Sequence, residues 1–255
     1  MSRLDDAFKN KPIFMPYFPL GYPDLETSLD VLEALATHGA DLIEVGLSFS
    51  DPLADGPIIQ KATQKALEGG ITVAKALAGI TELRRRGVTI PLVLMGYFNP
   101  MLAYGLEKFV HDAGEAGVDG FIIPDLPPEE SAEFALIAQT LPQITMLAPT
   151  TPDERMEMIA RDAKGFIYLV SVTGVTGART GLPEGLAELV ERVRKHTSVP
   201  VCVGFGIGTP EQAQAVGAVA DGVIVGSACV RTIGESATPV ETARQFARSF
   251  KAALR

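Results

Sequence analysis

Eight short runs of apolar residues recur along the chain, separated by stretches that have the periodicity of helices. Within each run the apolar residues are nearly continuous instead of alternating with polar ones, which is typical of parallel strands covered on both faces. The pattern therefore predicts eight such strands. They cover residues 13–18, 41–46, 91–97, 120–125, 143–149, 166–171, 200–206 and 222–227.

Helical patterns fill the intervals between these strands. Apolar positions over Leu25–His38 recur at the spacing of one helix face, and Gly39 follows as a typical helix stop. A second pattern over 209–220 begins with Thr209, a favourable N-cap, and with Pro210, which is well tolerated as the first helical residue.

The alternation of strand and helix indicates an α/β protein with a parallel sheet and no low-complexity linker. Eight strands favour a closed (β/α)₈ barrel, also called a TIM barrel, over an open doubly wound sheet. We therefore expect residues 1–255 to form a single barrel domain, since a chain of this length lies within the usual size of that fold.

Two connections are longer than a turn between strand and helix requires. The second and third strands begin at 41 and 91, so their interval of 50 residues must hold a long loop and two extra helical segments, near 58–68 and 73–86. A second enlarged loop, over 171–181, follows the sixth strand. In such a barrel both loops lie at the carboxyl ends of the strands, where active sites are built.

Charge and composition narrow the range of partners. With 22 basic and 31 acidic side chains the net charge is −9, which argues against nucleic acid or an anionic membrane as a partner. The N-terminal segment lacks the apolar stretch of a signal peptide, and no apolar run approaches the length of about 18 residues that a membrane helix needs. We expect a cytoplasmic protein. Cys202 and Cys229 alone cannot supply a disulfide framework or a four-ligand zinc site.

Two carboxylates stand out at the end of the second strand and in the loop after it. Period two sends Leu42 and Glu44 to one face of the strand, so that Glu44 can point into the barrel mouth. Burial there would raise its pKa and suit it to proton transfer near neutral pH, whereas Asp55 on the loop would keep a different protonation state. The alternative is structural: Glu44 would pair with a basic neighbour, and Asp55 would cap the helix that begins near Pro57.

Glycines follow the last two predicted strands. The segments GFGIG (204–208) and GSA (226–228) each lead into a helix, where backbone amides can bind an anion and glycine allows a phosphate to approach closely. In barrels the phosphate site frequently uses the loops after strands seven and eight. Gly177, in the sixth loop, is a candidate third contributor. The alternative is that these glycines only make tight turns between strand and helix.

Several kinds of chemistry lack the residues that they need. No lysine falls at the carboxyl end of a predicted strand, which disfavours a Schiff-base aldolase. The three histidines lie in or at the ends of predicted helices, so we expect neither a histidine metal site nor a catalytic triad. Walker and dinucleotide-binding motifs are absent from the sequence. We therefore expect cofactor-free acid–base chemistry on a phosphorylated substrate.

Seven segments carry a family pattern: PYFPLGYPD (16–24), LIEVGLSFSDPLADGPIIQ (42–60), LMGYFNP (94–100), IIPDLPPEES (122–131), SVTGVTG (171–177), GFGI (204–207) and GSA (226–228). Together they resemble the tryptophan synthase α subunit family, in order and over nearly the whole chain. The resemblance implies a (β/α)₈ barrel that cleaves indole-3-glycerol phosphate to indole and glyceraldehyde 3-phosphate with no cofactor of its own. It also implies an α₂β₂ complex, in which indole passes to a β subunit that carries pyridoxal phosphate.

The resemblance also implies roles for individual residues. Glu44 and Asp55 match the catalytic acid–base pair of the family, and Tyr97 and Asn99 match positions near the interface with the β subunit. Substrate contacts are implied for a pocket aromatic, the tyrosine of the sixth strand, Tyr97 itself and the phosphate-binding residues. These positions are Tyr17, Tyr97, Tyr168, Gly177, Gly206, Gly226 and Ser227.

Three positions depart from the commoner family residues. Ser48 stands where many members have Pro, which would loosen the second loop, and Pro19 and Tyr22 replace Thr and Asp. Two other functions stay open: a non-catalytic barrel subunit that binds and activates a β partner, and another phosphate-binding barrel enzyme. The intact Glu44 and Asp55 argue against the first, and the SDPLADGP segment argues against the second.

Overall fold

Eight parallel strands close into a barrel in the computed structural model, which describes residues 2–170, 184–204 and 206–255. Each strand pairs with the next along the chain, and the eighth pairs with the first. The barrel and all eight predicted strands are therefore confirmed. The strands are β1 (Ile13–Pro19), β2 (Ile43–Gly46), β3 (Leu92–Met95), β4 (Gly120–Ile122), β5 (Gln143–Leu147), β6 (Ile167–Val170), β7 (Val201–Gly204) and β8 (Gly222–Val225).

Helices cover the outside of the barrel, and the first helix closes its floor, where Leu4 packs into the interior. In the part of the chain that the structure describes, no helix is both long and apolar enough to cross a membrane. The helices are α1 (Arg3–Ala7), α2 (Leu25–His38), α3 (Pro57–Glu68), α4 (Val73–Arg85), α5 (Phe98–Tyr104), α6 (Leu106–Ala116), α7 (Ala132–Ala138), α8 (Asp153–Arg161), α9 (Leu186–Arg194), α10 (Pro210–Gly217), α11 (Ser227–Gly234) and α12 (Pro239–Ala253).

The long connection between β2 and β3 has the predicted content. It holds a loop followed by α3 and α4, close to the two helical segments expected near 58–68 and 73–86. The second predicted long loop, over 171–181, lies outside the described residues.

Residues at the helix ends explain where two of the predicted helices begin and stop. Helix α2 has its predicted bounds, because the Asp24 carboxylate accepts a hydrogen bond from the Thr27 amide at 2.9 Å and Gly39 adopts φ +142°. Helix α10 begins at Pro210 as predicted, with Thr209 as N-cap in a capping box. The sequence therefore specifies these boundaries locally.

Successive residues of β2 alternate between the barrel interior and the layer beneath the helices, as a period of two predicts. Leu42 packs in the interior cluster together with Val93. Ile43 and Val45 belong instead to the cluster between the sheet and the helices. The side chain of Glu44 therefore points into the barrel.

Three aspartates tie neighbouring strands together near the floor of the barrel. Each stands just before an even-numbered strand, and its carboxylate accepts a hydrogen bond from a backbone amide of the preceding odd-numbered strand, at 2.7, 2.9 and 2.9 Å. Each also pairs with a basic side chain. The ties join Asp41 to Phe14, Asp119 to Leu92 and Asp221 to Val201.

Candidate active site

Glu44 is enclosed inside the barrel, with 1% of its surface exposed. Its Oε1 atom is buried and has no hydrogen-bond partner, and no described basic residue pairs with the carboxyl group. Burial raises the pKa of Glu44 from 4.5 to about 8. The group is therefore mostly neutral at pH 7 and is suited to proton transfer, and pairing with a basic neighbour finds no support among the described residues.

Asp55 lies on the loop between β2 and α3 and is held there by Tyr97. The Tyr97 hydroxyl donates a hydrogen bond to Asp55 Oδ2 at 3.0 Å and accepts one from the Ala54 amide at 2.9 Å. Burial raises the pKa of Asp55, and the hydrogen bond from Tyr97 opposes part of that rise. The alternative that Asp55 caps the following helix is wrong, because Gly56 is the N-cap of α3 and no side chain caps it.

Two buried tyrosines line the mouth, and each lies against a glycine of the next strand. A Cβ atom at Gly46 on β2 would overlap the phenol ring of Tyr17, which belongs to β1. In the same way, a Cβ atom at Gly204 on β7 would lie 2.5 Å from the hydroxyl oxygen of Tyr168 on β6. Burial raises the pKa of both phenols, and both carboxylates raise it further. Both phenols are therefore neutral in this site.

These two glycines are the positions that sequence reasoning missed or misread. The sequence pattern does not single out Gly46, and it groups Gly204 with the glycines predicted to bind phosphate, whereas the structure places each one under a tyrosine ring. A usable signal exists, because a glycine inside an apolar strand often marks the close approach of another group. The sequence alone does not say which group approaches.

The described candidates for the phosphate site lie just before α10 and at the start of α11. Gly206 has φ +81°, a backbone conformation that favours glycine, and the space where its Cβ atom would lie is open. Gly226 is the N-cap of α11 and Ser227 its first residue, so the first amides of this helix have no partner within it. A Cβ atom at Gly226 would lie 3.9 Å from Tyr17 Cβ. Gly177 lies outside the described residues.

Two further features of the described residues bear on the site. Ser48 is buried, and its hydroxyl has no hydrogen-bond partner. Within residues 2–170, 184–204 and 206–255, no group of three or more His, Cys, Asp or Glu side chains is placed to hold a metal ion.

A comparison with protein families decides what kind of chain this is. The family model described as tryptophan synthase alpha chain matches residues 4–255. The chain belongs to the tryptophan synthase alpha chain family. The match runs through all eight strands and includes the loop that carries Asp55.

Individual members of the tryptophan synthase alpha chain family are similar over their full length. The alpha chain of Dehalococcoides mccartyi is 46% identical over 256 residues, which cover 100% of both chains. The alpha chain of Roseiflexus sp. strain RS-1 is 48% identical, over 98% of this chain and 100% of its own. Among solved structures, the alpha subunit of Legionella pneumophila is 36% identical with a TM-score of 0.91, over 100% of this chain and 98% of its own. A tryptophan synthase structure from Mycobacterium tuberculosis is 38% identical with the same TM-score and the same coverage.

Most of the described residues that were candidates for the site come together at one mouth of the barrel. Asp55 is hydrogen-bonded to Tyr97, and the ionised forms of Glu44 and Asp55 both raise the pKa of Tyr17 and of Tyr168. The start of α11 adjoins Tyr17 across the pairing of β8 with β1. The described residues therefore join two carboxyl groups, three phenols and one helix start in a single site.

Proposed function

We propose that the chain is a carbon–carbon lyase that cleaves indole-3-glycerol phosphate into indole and glyceraldehyde 3-phosphate. The observation that carries the proposal is the presence of two carboxyl groups with unlike surroundings at one barrel mouth. Glu44 is enclosed and mostly neutral at pH 7, whereas Asp55 is held on a loop by a tyrosine. Such a pair can divide acid and base roles at one pH.

Glu44 makes two proton transfers in this scheme. It first gives its proton to C3 of the indole ring. The carboxylate so formed then takes the proton of the adjacent glycerol hydroxyl, the C=O bond of the aldehyde forms, and the electron pair of the broken carbon–carbon bond returns to the ring. Glu44 ends in its neutral form, ready for another cycle. Asp55 accepts a hydrogen bond from the ring N–H, which becomes more acidic once C3 is protonated.

The phosphate of the substrate would bind near the starts of α10 and α11. Gly206 and Gly226 keep side chains away from the approaching phosphate, and the first amides of α11 together with the Ser227 hydroxyl offer hydrogen-bond donors. Because neutral amides do the binding, the net charge of −9 is no obstacle. The aromatic walls formed by Tyr17 and Tyr168 suit the flat indole ring.

The reaction as proposed requires no metal and no cofactor in this chain. Pyridoxal phosphate would belong to a β subunit, which receives the indole within an α₂β₂ complex. The substrate is a small molecule, and neither nucleic acid nor a membrane takes part.

We place the β subunit on the segments that follow β2, β3 and β4. Hydrogen bonds connect these segments. The Tyr97 hydroxyl, after β3, accepts one from the Ala54 amide in the loop after β2, and the Phe98 amide donates one to Asp125 Oδ1, after β4, at 2.9 Å. Large exposed apolar side chains on one surface are typical of interaction sites. The three segments carry Leu53, Leu102 and Leu136, with 89%, 50% and 76% of their surfaces exposed.

A substitution on α5 tests this docking surface. Leu102→Ser should weaken the affinity for the β subunit by about tenfold, since burial of a leucine contributes roughly 1.5–3 kcal/mol. Met158→Ser on α8, where the side chain is 40% exposed, is the matched control and should leave the affinity unchanged. Calorimetric titration measures both affinities, and sedimentation gives the stoichiometry. Equal weakening by the two substitutions would place the β subunit elsewhere.

The lyase proposal is tested with purified chain and indole-3-glycerol phosphate, with and without a β subunit. We expect equal amounts of indole and glyceraldehyde 3-phosphate. A chain that binds the β subunit but releases no indole under either condition would be a non-catalytic subunit. Conversion of the substrate to an isomer would identify a different phosphate-binding barrel enzyme.

A further inference from the structure

Tyr17 and Glu44 occupy opposite positions on adjacent strands, with their Cα atoms paired in the register of β1 and β2. Both lie on the inward side of the barrel. The Tyr17 phenol extends over Gly46, which follows Glu44 by two residues on the same face of β2. Because two residues of a strand advance by roughly 6.6 Å, the phenol lies one layer of side chains above the Glu44 carboxyl group, on the side from which substrate enters.

Neither polar group of this pair has a hydrogen-bond partner in the part of the chain that the structure describes. Glu44 Oε1 is buried without a hydrogen bond. The Tyr17 hydroxyl makes no hydrogen bond with a described residue, although 4% of the side chain remains exposed. Asp55 differs, since it already accepts a hydrogen bond from Tyr97. A buried oxygen without a partner is costly, and the cost increases greatly when the oxygen carries charge.

We propose that Tyr17 is a positioning residue for Glu44, and that the Tyr17 phenol donates a hydrogen bond to the carboxylate that forms when Glu44 gives up its proton. The inference rests on the proposed role of Glu44. In this step the proton leaves the carboxyl group for carbon, and the phenol keeps its own proton throughout. The hydrogen bond strengthens as negative charge develops, so it favours the transition state over the ground state.

Other groups that face Glu44 are less suited to this role. The charge of Glu44 also acts on Tyr168, which approaches from β6 on another wall of the barrel, and the variant Tyr168→Phe separates its effect from that of Tyr17. Cys202 on β7 offers only a weak thiol donor. Asp55 would repel a second negative charge. On the β3 side the register partner of Glu44 is Val93, which is apolar. Tyr17 is the phenol on the strand next to Glu44.

The decisive variant is Tyr17→Phe, which keeps the ring over Gly46 and removes only the hydroxyl. Carbon NMR of chain labelled at the glutamate carboxyl carbons, with the Glu44 signal identified by its loss in Glu44→Gln, measures the pKa of Glu44 without substrate. A hydrogen bond to the carboxylate lowers that pKa, so Tyr17→Phe should raise it by about 1. Tyr97→Phe and Tyr168→Phe are the matched controls and should leave the pKa of Glu44 unchanged.

A second variant tests the same contact in the opposite direction. Fluorotyrosine at position 17 is a stronger donor than tyrosine and should lower the pKa of Glu44. In the cleavage assay, Tyr17→Phe should reduce kcat by about tenfold, change KM little and move the alkaline limb of the pH profile to higher pH.

An unchanged Glu44 pKa in both Tyr17 variants would overturn the inference, as would a shift that appears only in Tyr168→Phe. The NMR titration needs no catalysis. A chain that failed to cleave the substrate would therefore refute the proposed function while the contact between Tyr17 and Glu44 was still measured separately.

Discussion

The Tyr97 hydroxyl bridges two groups of one loop, donating a hydrogen bond to Asp55 Oδ2 at 3.0 Å and accepting one from the Ala54 amide at 2.9 Å. Tyr97 is also the N-cap residue of α5. The position of the Asp55 carboxylate therefore depends on a residue from the connection after the next strand. A single phenol couples the loop after β2 to the helix after β3.

Removing the Tyr97 hydroxyl should reduce the contribution of Asp55 to substrate cleavage without disturbing the fold. In Tyr97→Phe the ring can still pack against Phe49, whose centroid lies 5.6 Å away, but both hydrogen bonds are lost. We expect kcat/KM for substrate cleavage to fall about tenfold or more. The pKa of Asp55 should rise, because the hydrogen bond that lowers it is gone, and the acid limb of the pH profile should move to higher pH.

The matched control for this substitution is Tyr104→Phe. It removes a hydroxyl that donates to Asp112 on the outer surface of the barrel, at 2.7 Å. Its pH profile should match that of the unmodified chain. If Tyr97→Phe behaved in the same way, Tyr97 would have no part in holding Asp55.

Glu44→Gln should remove cleavage while the barrel stays folded. General acid–base catalysis contributes roughly 10²–10⁴-fold, so the variant should lose at least about 100-fold in kcat. Residual turnover above about a tenth of that of the unmodified chain would exclude Glu44 as the proton donor. Assays of indole release measure the loss, and circular dichroism checks the fold.

The same variant should change how stability depends on pH. Glu44 has a pKa of about 8 in the folded chain against 4.5 for the free group, so between these values the unfolded chain binds fewer protons than the folded one. Stability then falls as pH rises through that range. Glutamine does not titrate, so the Tm of Glu44→Gln relative to the unmodified chain should increase between about pH 4.5 and pH 8. A constant difference would mean that Glu44 is not buried in its neutral form.

Gly206→Ala should weaken the binding of phosphorylated ligands. The backbone at this position has φ +81°, which costs roughly 1–2 kcal/mol for a residue with a Cβ atom, so the turn before α10 should shift. Affinity for glyceraldehyde 3-phosphate should fall about tenfold, whereas affinity for indole should change little. Calorimetry with both ligands measures the two affinities.

Gly87→Ala is the matched control for the phosphate site. Gly87 has φ +92° and open space around its Cβ position, but it lies between α4 and β3, at the opposite end of the barrel. The strain should be similar, and the affinity for glyceraldehyde 3-phosphate should stay unchanged. Equal losses in both variants would remove Gly206 from the phosphate site.

Gly46→Ala should displace the Tyr17 ring. The added Cβ atom would overlap the phenol, and overpacking of this kind typically costs about 1–3 kcal/mol of unfolding free energy. Because the ring lines the mouth, kcat/KM should fall by tenfold or more. Gly114→Ala in α6, where the nearest atom would lie 3.8 Å from the new Cβ, should leave cleavage unchanged. Normal cleavage by Gly46→Ala would show that the position of the ring does not matter.

Local patterns in the sequence predict much of the fold and the placement of Glu44, one half of the proposed catalytic pair. The inward direction of Glu44 follows from the period of two along β2, and the ends of α2 follow from Asp24 and Gly39. Such features depend on neighbours along the chain, so a single sequence is enough to specify them.

Contacts between distant segments are harder to predict. The hydrogen bond between Tyr97 and Asp55 joins residues 42 positions apart through a loop without a periodic pattern. Asp55 resembles a helix cap by its place in the sequence, but Gly56 occupies that position. Helix α5 gives no clear signal either. Pro100 looks like a helix breaker, yet it lies in the first turn, where a backbone amide is not needed.

Each of the three aspartate ties lies within one half of the barrel, either β1–β4 or β5–β8, so the two halves need not belong to one continuous chain. Each tie lies within a pair of consecutive strands, joining β1 to β2, β3 to β4 and β7 to β8. Cleavage of the backbone between β4 and β5 would leave every aspartate on the same fragment as its amide, whereas cleavage between β3 and β4 would separate Asp119 from Leu92. Two half-barrels produced by the first cut would each keep their own internal ties and could reassemble through the exposed edges of β1, β4, β5 and β8.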